Sequence, residues 1–106
     1  MTQPSGARSA IGELITSRLR DVPDFPQPGV LFKDIMPLLA DADAFGACID
    51  CFAALPAAAD ADLVAGVEAR GFVVAAALAR VVHAGVVPVR KAGKLPPPTV
   101  SASYQL

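Results

Sequence analysis

Histidine is nearly missing from this sequence: His83 stands alone, and the only cysteines are Cys48 and Cys51. C-x-x-C can be a redox pair or half of a zinc site, but no second ligand pair accompanies it. Phe45, Cys48, Ile49 and Phe52 recur at i, i+3, i+4 and i+7, which is one face of a helix. Cys48 is therefore expected as a small core residue and Cys51 as a partly buried neighbour, with no metal bound. His83 closes an apolar helical pattern, where partial positive charge suits the helix dipole better than a catalytic task suits a lone imidazole. Charge of one sign is not in surplus either: nine Lys and Arg face ten Asp and Glu, a net charge of -1. No basic field exists to hold nucleic acid or an anionic membrane surface. Long apolar runs are lacking. The longest apolar region, 71–89, is interrupted by Arg80, His83, Gly85 and Pro88, which a bilayer span tolerates poorly. The first ten residues, MTQPSGARSA, hold no apolar core ahead of a cleavage site, so no signal peptide is expected and a cytoplasmic location follows by default. There is no internal repeat.

What is present suffices for one domain with a core: 106 residues, 54% hydrophobic and 18% charged, a composition that folds. The chain is organised around residues 61–79, ADLVAGVEARGFVVAAALA. The apolar run at 63–67 reads as a buried strand, Glu68-Ala69-Arg70-Gly71 as a tight turn, and 72–82 as about three helical turns. Strand, turn and helix form the half-unit of a parallel α/β sheet. In such sheets ligands bind beyond the carboxyl ends of strands, where the next helix points its N-terminus at them. Arg70 is a fixed cation at that spot, and Gly71 lets a ligand approach the backbone. Helix N–H groups, the dipole and a guanidinium together suit a phosphate. The competing possibility is that Arg70 simply pairs with Glu68 or another surface carboxylate.

Taken in order, residues 1–8 read as a frayed tail. A helix from Ser9, its plausible cap, carries Ile11, Leu14, Ile15 and Leu19 as an apolar stripe, with Arg18 and Arg20 near its C-terminal end. Pro23, Pro26 and Pro28 then fix three φ angles and remove three donors, so residues 21–34 are expected as a stiff loop without regular structure. Pro28-Gly29 suits a type II turn. Phe25, Val30, Leu31 and Phe32 on that loop either plug into the domain or line a pocket. A second helix is expected over about 44–55, capped by an aspartate among 41–43. Residues 57–62 connect to the strand at 63–67. After the central helix, 86–90 reads as a second strand, with Pro88 pointing to an edge or early strand position. A basic loop, Arg90-Lys91-Ala92-Gly93-Lys94, and a proline run follow. A right-handed crossover puts Arg70 and the Arg90–Lys94 cluster at one end of the sheet, where they can meet a multiply charged anion.

Three segments in this order and spacing, PDFPQPGVLFKDIMPLL (23–39), VAGVEARGF (64–72) and VVPVRKAGKLPPPTVSASY (86–104), resemble the N-terminal half of the adenine phosphoribosyltransferase family. With the intervening helices the resemblance covers about residues 11–106. It implies part of a type I phosphoribosyltransferase fold, Rossmann-like α/β, with N-terminal helices and the first parallel strands of the central sheet. Within a partial domain spanning 1–106, residues 23–34 would be the base-binding loop. Residues 63–91 would be the strand–helix–strand core, and 92–106 the start of a mobile loop. The implied reaction is adenine plus phosphoribosyl pyrophosphate giving AMP plus pyrophosphate in purine salvage. Magnesium would be carried by the phosphoribosyl pyrophosphate, and the complete enzyme would be a homodimer. The resemblance assigns Phe32 to stack on adenine, and the main chains of Leu31 and Lys33 to read its edge. Glu68, Ala69, Arg70 and Gly71, with Arg90, Lys91 and Lys94, would hold pyrophosphate, some of the latter three across a dimer interface. Tyr104 would belong to the mobile loop. The same resemblance singles out Glu68–Ala69 as the place for a non-proline cis peptide.

The sequence also departs from this pattern. No consecutive acidic pair after a strand and no Gly-Gly-Thr-type loop occurs in the 106 residues, although the family binds the ribose hydroxyls and 5′-phosphate with them. The loop glutamate associated with proton transfer to adenine would fall beyond Leu106, so no catalytic residue is expected in this chain. An apolar sheet edge would be left open. Weak or absent turnover by this chain alone is the expectation. A non-catalytic purine- or phosphate-binding relative and an interaction fragment are the alternatives.

Overall fold

A computed structural model describes residues 5–104, with side chains from residue 10 onward. The expected tail at residues 1–4 and the end of the mobile loop at 105–106 lie outside the described residues, as does the side chain of Ser9. The chain divides into two compact units, Met1–Leu55 and Pro56–Leu106.

In the first unit, helix α1 (Ser5–Ser17) begins four residues earlier than expected, so residues 5–8 are helical rather than tail. It also ends before Arg18 and Arg20, which leaves no basic residue in its last turn. Arg18 is used elsewhere: its Nε donates to Asp41 Oδ2 at 2.7 Å. Residues 21–34 are not an irregular loop. Strands β1 (Arg20–Pro23) and β2 (Leu31–Asp34) pair antiparallel, Arg20 opposite Asp34 and Pro23 opposite Leu31. The prolines permit this because only Pro23 lies in a strand, at its last position, where a lost donor costs least. Pro26 and Pro28 lie in the connection. The chain reverses there through a cis Phe25–Pro26 bond and Gly29 at φ +86°, with Val30 N–H bonded to Gln27 O at 3.3 Å. A positive φ directly after proline is the signature of the type II turn.

The short helix α2 (Met36–Ala40) leads to α3 (Ala42–Ala53), which Asp41 caps by accepting from the Ala44 N–H at 3.0 Å. One aspartate therefore both caps α3 and anchors Arg18. The guanidinium, then the Ala44 N–H, holds the Asp41 carboxyl below its ordinary range. Leu38, Ala44 and Ile49 are buried in this unit. Cys48 is half-buried rather than the core residue expected, and Cys51 is exposed rather than partly buried, as is Phe52; all three line a shallow apolar cleft with Ile11 and Ile15 of α1.

The second unit opens with the single-turn helix α4 (Pro56–Ala59), where only a connection was expected. Strand β3 (Leu63–Val67), helix α5 (Arg70–Val82) and strand β4 (Gly85–Val89) follow, and the two strands pair in parallel, Leu63 opposite Gly85 and Val67 opposite Val89. Small residues set how closely helix and strand approach. A Cβ on Gly66 would lie 2.5 Å from the Gly71 carbonyl oxygen and 2.8 Å from Ala75 Cβ. Ala75 and Ala79 are buried along the same contact. At its other end α5 closes with His83 in the left-handed region, φ +59°, and the Ala84 N–H bonded to Ala79 O at 2.8 Å. His83 therefore terminates the helix through its backbone. All five residues of β4 are exposed, Pro88 included, which matches an edge.

Two expectations can be measured. Gly66→Ala forces its new methyl into backbone and should cost about 1–3 kcal/mol of stability, read from chemical denaturation. Asp41, its folded pKa depressed, stabilises fully above its ordinary value of 3.8, and that contribution fades as pH falls from there through the lowered folded value. Denaturation midpoints in that acid range should fall in the unsubstituted chain and change less in Asp41→Asn.

Candidate functional site

Two surfaces carry the residues singled out by the sequence, one in each unit. In the first, Phe32 on β2 is partly buried and meets Phe25 edge-to-face, ring centroids 5.2 Å apart and planes at 68°. A shallow cleft of about 250 Å³ is lined by Arg20, Val22, Phe25, Phe32 and Asp34. The hairpin tip is held by Asp24 Oδ1, which accepts from the Gly29 N–H at 2.9 Å. Charged pairs staple the strands at matching register: Arg20 with Asp34 at 3.1 Å and Lys33 with Asp21 at 2.6 Å. Lys33 thus uses its ammonium within the hairpin, and only its main chain stays a candidate for reading a ligand. Leu31 is 54% exposed. Its register partner is Pro23, which has no N–H to offer the Leu31 carbonyl. Phe25 lines the cleft, one of the two alternatives left open for it, whereas Val22, Arg20 and Asp34 were not singled out as cleft residues. Val22 and Phe32 face each other only once the strands pair, and a sequence read as loop offers no such register.

In the second unit, Glu68, Arg90 and the Lys91 main chain meet at one end of the sheet, where Arg70 begins α5. Strands β3 and β4 end side by side, and the Glu68 N–H extends the ladder to Val89 O at 3.0 Å. The Glu68–Ala69 peptide is cis, at the position the motif marked. Arg70 is the first residue of α5, two residues earlier than the expected helix start, and no side chain caps that terminus. Glu68 takes partners on the neighbouring loop: Oε2 faces Arg90 Nη2 at 3.6 Å, and Oε1 accepts from the Lys91 N–H at 2.5 Å. The Lys91 N–H, then the Arg90 charge and more weakly that of Lys94, hold the Glu68 carboxyl below its usual range. The Arg90 guanidinium lies over the Phe72 ring, 5.8 Å from its centroid, a cation–π contact.

Lys91 and Lys94 are exposed across a tight turn, with the Lys94 N–H bonded to Lys91 O at 3.2 Å and Gly93 at φ +85°. Gly71 has a packing duty that the sequence did not reveal, since its carbonyl closes on Gly66. Tyr104, 81% exposed, lies in a segment without regular structure. His83 sits at the opposite end of α5, about 20 Å from Arg70 along a 13-residue helix, and has no part in this cluster. Among the described residues no three His, Cys, Asp or Glu side chains gather as a metal site, and no helix is long and apolar enough to cross a membrane.

Known structures define the class. The chain superposes on an adenine phosphoribosyltransferase from Saccharomyces cerevisiae, crystallised with adenine and an imino-altritol bisphosphate, with TM-score 0.82 and 34% identity. The match covers 90% of this chain and 59% of the yeast chain. It superposes on the Rhodothermus marinus enzyme with TM-score 0.82 and 41% identity, over 92% and 56% of the two chains. The fold is part of the type I phosphoribosyltransferase fold, α/β with parallel strands.

The sequence relatives give the particular family. The adenine phosphoribosyltransferase of Salinispora tropica is 55% identical across 99% of this chain, and the chain spans 58% of that relative's length. This chain is therefore a homologue of the adenine phosphoribosyltransferases, a glycosyltransferase family, and matches about half their length. No protein-family model matches it.

Proposed function

We propose that this chain carries the adenine- and diphosphate-binding half of an adenine phosphoribosyltransferase, which converts adenine and phosphoribosyl pyrophosphate to AMP and pyrophosphate in purine salvage. The observation that carries this reading is the cluster at the ends of β3 and β4. There Arg70 begins a helix and Glu68 ties down Arg90 and Lys91, in a chain 55% identical to a named member of that family.

In the reaction, a ring nitrogen of adenine forms a bond to the anomeric carbon as the carbon–oxygen bond to pyrophosphate breaks. The leaving group gains negative charge, and the anomeric carbon becomes oxocarbenium-like. Arg70, Arg90, Lys91 and Lys94 stabilise that growing charge, and the main chain of the Glu68-Ala69-Arg70-Gly71 turn adds oriented dipoles. Phe32 stacks on the purine. The Leu31 and Lys33 main chains supply a carbonyl for the exocyclic amine and an N–H for the ring nitrogen beside it. A 6-oxo purine inverts that pattern and is rejected. The paired hairpin strengthens this assignment, because backbone readout needs backbone that stays in place. Tyr104 lies at the start of a loop that closes over the site. Magnesium would arrive on the oxygens of phosphoribosyl pyrophosphate rather than on protein ligands. The complete enzyme would be a cytoplasmic homodimer, with some of Arg90, Lys91 and Lys94 facing pyrophosphate across its interface.

The absence of a consecutive acidic pair and a Gly-Gly-Thr-type loop from these 106 residues favours binding without turnover for the chain by itself. Calorimetry with adenine, and an assay of AMP formation with adenine, phosphoribosyl pyrophosphate and magnesium, test this directly. Adenine should bind and raise the melting temperature, while AMP formation stays weak or absent; robust AMP formation would contradict the half-site reading. Phe32→Ala should weaken adenine binding by about 1–3 kcal/mol. Arg70→Ala should leave adenine affinity alone and weaken pyrophosphate binding.

A further inference from the structure

We propose that Glu68 is a positioning residue of the diphosphate site: its carboxylate holds the Arg90–Lys91 turn against the end of β3, so that the cations of the 90–94 loop address the same anion as Arg70. The role rests on the diphosphate reading above. Glu68 is anchored before its side chain makes any contact, because its N–H donates to Val89 O at 3.0 Å. The carboxylate then reaches past the last ladder bond, with Oε1 on the Lys91 N–H at 2.5 Å and Oε2 3.6 Å from Arg90 Nη2. Phe72, in the first turn of α5, supplies the second neighbour of that guanidinium at 5.8 Å. Arg90 thus has two neighbours, one in the β3–α5 connection and one in the first turn of α5, and its side chain keeps 34% of its exposure against 20% for Glu68.

By charge alone a carboxylate is a poor choice here, since it offsets one of the four cations Arg70, Arg90, Lys91 and Lys94. Geometry supplies the reason for it. Like charges crowded on one short loop repel and spread, and mobile cations must be ordered again for each anion they bind. A carboxylate anchored on the neighbouring strand removes that ordering cost in advance. The groups that face it are the Lys91 N–H and the Arg90 and Lys94 charges.

Titration with inorganic pyrophosphate separates geometry from charge. Glu68→Ala removes both the tether and the negative charge, whereas Glu68→Gln removes the charge and keeps an acceptor oxygen for the Lys91 N–H. Glu68→Ala should bind pyrophosphate about tenfold more weakly, although its site is more positive, and Glu68→Gln should recover most of that loss. Equal or tighter binding by Glu68→Ala would overturn the positioning role, because simple charge removal drives affinity that way. Amide NMR reads the tether without any ligand. The Lys91 amide resonance should follow protonation of Glu68, at a pH below that of an ordinary glutamate, and lose this response in both variants. A Lys91 amide indifferent to pH there would overturn the tether. If the unsubstituted chain bound no pyrophosphate while its Lys91 amide still followed Glu68, the diphosphate reading would fail, and the positioning role with it.

Discussion

The close approach of α5 to β3 is the constraint on which the second unit depends. Gly66 has no room for a side chain, because the Gly71 carbonyl and the Ala75 methyl already occupy the space where a Cβ would point. The helix axis lies near the strand for that reason. The first turn of α5 then starts immediately beyond the strand end, with only Glu68 and Ala69 between them. A bulkier residue at 66 would push the helix outward and carry Arg70 with it. The stripe of small residues is therefore a statement about where a cation stands as well as about packing density.

Everything further at that edge is electrostatic and local. Glu68 continues the ladder with its backbone and crosses to the neighbouring loop with its side chain. A depressed carboxyl pKa and a cation held between a carboxylate and an aromatic ring are the two marks of this arrangement. Strand ends in parallel sheets leave backbone groups facing outward, and a ligand or a side chain must satisfy them. Here a side chain does so for Lys91.

The hairpin of the first unit follows a different logic. Three prolines argue against regular structure when each is counted as a lost donor, and residues 21–34 read as a stiff loop on that ground. Position matters more than number. Pro23 ends a strand, while Pro26 and Pro28 shape the reversal, so the ladder loses one donor only. The cross-strand pairs Arg20–Asp34 and Lys33–Asp21 are far apart in sequence and gain meaning only at this register. The same pairing brings Val22 and Phe25 beside Phe32 in one cleft.

Local sequence determined the strand at 63–67, most of the central helix, an aspartate cap among 41–43 and the turn at Pro28-Gly29, because each depends on residues near in sequence. The motif at 64–72 marked where a cis peptide stands, and three motifs in register identified the family whose fold the chain shares. Tertiary structure alone decided which carboxylate meets which cation. Glu68 takes Arg90, Arg18 pairs with Asp41 just beyond the end of α1, and Cys51 is exposed. Such pairings join residues up to 23 positions apart. Their partners are chosen by strand register and helix rotation, and neither is encoded in local residue preference.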